Sequence, residues 1–166
     1  MVGRAMAALL AATVLTFFSV AWADGADSRW ADYRNWTQIH SKPITEDHTG
    51  LLGNLHAGAK GVRFVYVNDI GLQASEGSAP YSYPVGTVIA KEQYKNMKRY
   101  EDGRKPDLTV MVKVSDDAAN PAENWAWARG YNKRAKTKDA FCSGCHTVAL
   151  ANDFVFSNAE SLKDYR

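Results

Sequence analysis

Cysteine is scarce in this chain, two residues of 166, too few for a disulfide-rich scaffold. An excess of charge of one sign is missing as well. Lys and Arg number 20 against 18 Asp and Glu, a formal net charge of +2 with no extended basic block, which argues against a nucleic-acid partner. Internal repeats and low-complexity linkers are absent, and the length suits one domain. After residue 23 no run is long and apolar enough to cross a bilayer. What is present in quantity is core: 46% of the residues are hydrophobic, which excludes a disordered tail.

The single long apolar run, Ala7 to Val20, follows the basic Arg4 and precedes Ala21-Trp22-Ala23, a small-x-small cleavage pattern. It is shorter than the roughly 20 residues that a spanning helix needs. The expectation is a removed signal peptide over 1–23 and one exported domain over 24–166, without a membrane span after cleavage. A bacterial periplasm is the expected compartment.

Export changes how the cysteines read. Both lie in Cys142-Ser143-Gly144-Cys145-His146, the attachment pattern for one covalent c-type haem. Each thiol adds to one vinyl group, and two intervening residues let a single turn of backbone present both sulfurs to one porphyrin edge. His146 then offers its imidazole to iron, while its other ring nitrogen needs a carbonyl or carboxylate to orient it. Three other uses of such cysteines fit less well. A thioredoxin-like site opens a helix early in a βαβ unit, and none surrounds this motif. A zinc site needs a fourth ligand, and His40, His48 and His56 lie far upstream without paired spacing. A plain disulfide has no use for His146.

The fold expected is α+β and mainly β, an antiparallel sheet with flanking helices and the haem near the C-terminus. Strands are predicted over 62–68, 87–91, 108–114 and 125–131 from their β-branched and aromatic content. Trp30, Tyr33 and Trp36 suggest a short amphipathic helix over 28–39, and a weak helix pattern spans 92–101. Residues 41–61 and 75–85 read as loops, and the haem motif and 159–165 as helical.

Neither Met nor His follows His146, so the downstream Met ligand of small electron-transfer cytochromes is missing. Met97 and Met111 are the methionines after residue 23, and Met111 reads as core. An open iron position suits gas binding or redox catalysis, whereas two fixed ligands suit electron transfer.

Several ordered pieces resemble the cytochrome P-460 family, which includes the cytochromes c′-beta. They are Tyr33-Arg34-Asn35-Trp36, the strand Val62 to Asn68, Pro84 to Glu92 (PVGTVIAKE), Asn124-Trp125, and Cys142 to His146 followed by Asp153-Phe154-Val155-Phe156. The resemblance covers about residues 30–157. It implies a mainly antiparallel β fold, a five-coordinate haem, commonly a homodimer, and chemistry with hydroxylamine and nitric oxide. Lys91 matches the lysine that in the P-460 enzymes bonds to a haem meso carbon, which requires a neutral amine. The cytochromes c′-beta instead bind nitric oxide or carbon monoxide behind an aromatic cap.

Candidate site residues follow. Asp139 is the candidate carboxylate for taking protons from hydroxylamine. Arg129 either points inward, to a haem propionate or bound ligand, or outward into solvent. Tyr81 and Tyr83 are candidate cap aromatics, and Phe154 and Phe156 are expected beside the haem. His40, His48 and His56 are candidate distal ligands or structural residues. The basic runs 95–100 and 133–138 are a docking face for an acidic partner or solvated surface. The leading expectation is a haem oxidoreductase passing electrons to a soluble acceptor such as another cytochrome c. A non-catalytic nitric-oxide-binding cytochrome and a low-spin electron carrier are the alternatives.

Overall fold

Alternating side chains that can be buried on both faces dictate a covered sheet. The computed structural model describes residues 27–47 and 61–166. Within them one antiparallel sheet runs in chain order: β1 (Thr37–Gln38), β2 (Val62–Val67), β3 (Val88–Tyr94), β4 (Asp107–Lys113) and β5 (Trp125–Arg129). The α+β, mainly β reading therefore agrees with the architecture, and four strands fall where the sequence predicts them. Two residues are too few for β1 to show a period. The predicted signal peptide lies outside the described residues.

Register places the side chains. Val65, Lys91, Thr109 and Arg129 form one row across β2 to β5, and Val67, Ile89, Met111 and Trp127 form the next row on the same face. The opposite face carries Val88, Ala90, Leu108, Val110, Val112 and Ala128, packed with Trp30 and Tyr33. Glu92 is buried on that second face, where it accepts from Tyr33 at 2.5 Å, Arg34 at 2.6 Å and Tyr94 at 3.1 Å. These bonds tie the N-terminal turns to the sheet.

Three helices flank it: α1 (Asp69–Glu76), α2 (Met97–Glu101) and α3 (Ala140–His146). None of these helices is long and apolar enough to cross a membrane. The sequence reading misses α1, although Asn68 caps it by accepting from the Gly71 amide and Asp69 occupies its first turn. The tight turn into β3 uses Gly86, whose φ of +94° other residues rarely adopt.

Three predicted helices are corrected. Residues 28–39 form two 3-10 turns, Ser28–Trp30 and Tyr33–Asn35, and then β1. A spacing of three is the 3-10 period, not 3.6, so Trp30 and Tyr33 are buried without an α-helix. Over 92–101, β3 continues to Tyr94 because Glu92 finds its partners inside, and only Met97–Glu101 is helical. Residues 159–165 are turns ending in the 3-10 turn Lys163–Tyr165.

His40 fastens the segment after β1 and is 3% exposed. Its Nδ1 donates to the Lys42 carbonyl at 2.6 Å, and its Nε2 accepts from the Val65 amide at 3.0 Å. With both nitrogens engaged, it is structural and not a distal ligand; His48 and His56 lie outside the described residues. Burial holds its pKa below the ordinary 6.5. The unfolded chain therefore takes up the proton first, so this histidine's contribution is complete above pH 6.5 and lost as pH falls through the folded value. Melting temperature is expected to drop on acidification below that pH, less steeply in a His40→Gln variant. Parallel pH profiles would contradict this assignment.

Candidate functional site

The motif folds as a short helix because Asp139 starts it. Its carboxylate accepts from the Cys142 amide at 3.0 Å, and the Ser143 hydroxyl donates to the Asp139 carbonyl at 2.9 Å. Cys142 and Cys145 stand three residues apart and so share one helix face, with His146 completing the turn. Both thiols are unbridged and partly buried.

That face borders a cavity of about 570 Å³ between α3, residues 155–157 and the first face of the sheet. Val65, Ile89, Lys91, Thr109, Met111, Trp127 and Arg129 line it from the strands. His146 lies between Trp127 and Phe156, with ring centroids 4.5 and 4.7 Å away. Its Nδ1 donates to the Phe154 carbonyl at 2.7 Å, because a carbonyl can only accept. Nε2 is then the nitrogen with a lone pair for a metal.

The predicted site residues separate on this geometry. Cys142, Cys145, His146, Lys91 and Arg129 share the cavity. Arg129 sits at its rim, 58% exposed, 5.0 Å over the Phe141 ring and 3.9 Å from Asp139. Asp139 is not in the cavity wall: its carboxylate is spent on the helix cap, which holds its pKa low. Burial, with Asp139 beside it, pushes the Cys142 thiol up to about 11, while Arg129 and Lys91 pull the other way. Tyr81 and Tyr83 do not form a cap. Both are buried in the core, Tyr81 accepting from the Glu160 amide and Tyr83 edge-on to Trp125. Phe156 lines the cavity, whereas the Phe154 ring packs into the core. Met111 joins the wall from the core, and Met97 packs near Val62, Phe64 and Tyr94.

Several contributors are not anticipated by the sequence reading. Arg63, 5% exposed, lines the cavity and donates to the Glu46 carbonyl. Alternation along β2 puts it on the face of Val65, a signal that could have found it. Asp47 brings a carboxylate to the wall. Behind the site, Lys113 is 2% exposed and holds both Asp153 oxygens, at 2.7 and 2.8 Å. Lys113 ends a strand, where a solvated lysine is the usual reading.

These residues fit a haem. The volume falls in the range of built ligand sites, about 300–1,000 Å³. Arg63 and Trp127 line the cavity, and their buried donors Arg63 Nε and Trp127 Nε1 have no hydrogen-bond partner among the described residues. Such donors are costly unless something accepts from them, and a haem carries carboxylates that can.

Comparison with known proteins agrees. The family model described as Cytochrome P460 matches residues 30–157, most of the chain. No curated protein matches it.

The cap is separable from the chemistry. Asp139→Ala is expected to lower stability by about 1 kcal/mol in urea unfolding, and Asp139→Asn, which still caps, by much less. Equal losses in the two variants would count against the capping role.

Proposed function

The chain belongs to the cytochrome P460 family, and from that premise we propose an exported mono-haem c cytochrome that oxidises hydroxylamine, nitric oxide or both. The family implies the haem; the covalent bonds, the substrate and the periplasmic location belong to this proposal. Cys142 and Cys145 hold the group through thioethers, and His146 Nε2 binds the iron. Arg63 and Trp127 supply N–H donors for its acceptor groups. When bound, the haem supplies a redox-active iron that takes a small nitrogen ligand and passes electrons on.

The observation that carries the reading is Lys91, which projects from β3 into the same cavity as both cysteines and His146. Its neutral amine is a candidate to replace hydrogen at a meso carbon of the macrocycle, a two-electron oxidation in which a peroxide-class oxidant takes up both electrons and both released protons as water. Hydroxylamine gives up protons as it gives up electrons, so a nearby base is needed. Among the described residues, Asp47 is the carboxylate in the cavity wall, and Asp139 is withdrawn into its cap. A soluble acceptor such as another cytochrome c completes the redox cycle.

A second reading has its own support. Ile44, Val65, Ile89 and Met111 make much of the wall aliphatic, which suits an uncharged diatomic such as nitric oxide. Steady-state assays with hydroxylamine and an artificial electron acceptor separate the two. Turnover, with a red-shifted Soret band that disappears in Lys91→Ala, is the expected result. Nitric oxide binding without turnover, and an ordinary high-spin c-type spectrum in both proteins, would replace oxidation by gas binding.

A further inference from the structure

We infer that the buried Lys113–Asp153 pair is a positioning device for the axial histidine, holding residues 153–154 in the turn whose Phe154 carbonyl receives the His146 Nδ1 proton. The inference rests on the reading that His146 binds haem iron.

The turn has an unusual backbone. Asp153 and Phe154 have φ of +52° and +65°, consecutive left-handed residues, neither of them glycine. An aromatic residue is seldom found there, and such conformations persist only where the surroundings over-determine them. The Asp153 carboxylate accepts four hydrogen bonds from three groups. Lys113 Nζ takes both oxygens, the Tyr83 amide donates at 2.9 Å, and Trp125 Nε1 donates at 3.3 Å. Lys113 and Trp125 face each other across β4 and β5, so the anchor belongs to the sheet and not to the loop. Backbone bonds from Asp153 to Leu150 at 3.0 Å and from Phe154 to Ala149 at 2.9 Å close the turn.

The consequence falls on the imidazole. Trp127 and Phe156 pack against the ring, and the Phe154 carbonyl fixes its rotation and tautomer. A strong Nδ1–H···O=C bond raises the basicity of Nε2 toward a metal. Neither Lys113 nor Asp153 lines the cavity, yet they set the acceptor's place.

Holoprotein with Asp153→Asn or Lys113→Met, each dithionite-reduced, tests this by resonance Raman spectroscopy and redox titration. Asp116→Asn, which removes only the exposed carboxylate 3.5 Å from Lys113, is the control. Both test variants are expected to move the iron–histidine vibration to lower frequency and raise the midpoint potential, with the control matching wild type. Asparagine keeps the volume of Asp153 and tolerates left-handed backbone, so it decides the matter alone where Lys113→Met fails to mature. An unmoved vibration and potential, with only a lower melting temperature, would reduce the pair to a stability role. A reduced wild-type holoprotein that is five-coordinate and high-spin yet shows no iron–histidine vibration would instead overturn the ligand assignment, and this inference with it.

Discussion

The alternation of β3 is the constraint on which the site depends. Val88, Ala90, Glu92 and Tyr94 point to the face covered by the N-terminal turns, and Ile89, Lys91 and Gln93 point to the cavity. A slip of one residue would exchange the two sets, burying Lys91 among Trp30 and Tyr33 and turning Glu92 toward the cysteines. Glu92 prevents it, because Tyr33 and Arg34, its partners outside β3, lie on one side only. The register that places Lys91 is thus enforced from the far side of the sheet.

The helical side of the cavity is held by different physics. A helix as short as α3 has little stability of its own, and Asp139 satisfies its first amides while Ser143 and Thr147 close its turns. The segment after it depends on a buried charge pair. Removing one member of such a pair costs about 3–5 kcal/mol, since the other is left uncompensated in the interior. That anchor holds the left-handed turn at 153–154, whose Phe154 carbonyl receives the His146 Nδ1 proton, and so couples the interior of the fold to the orientation of one imidazole.

How much of this was legible depends on distance along the chain. Cys142, Cys145 and His146 carry their geometry within five residues, and β2 to β5 show theirs as a period of two. Trp30, Tyr33 and Trp36 carry a spacing of three, which 3-10 turns satisfy as well as a helix. The roles of Lys113 and Asp153 were hidden because they meet across 40 residues and depend on a left-handed aspartate. Tyr83 and His40 were ambiguous for a related reason: a buried side chain and a ligand look alike until the partners of their polar atoms are known.

The family assignment brings the haem; that Cys142 and Cys145 hold it covalently is the central claim. Its most direct measurement is mass spectrometry of the intact protein, matured in a host that attaches c haem and then extracted with acidified acetone. One haem per chain should survive extraction and be lost from a Cys142→Ser, Cys145→Ser double variant. A chain that sheds its haem into the acetone, or never carries one, would contradict the account.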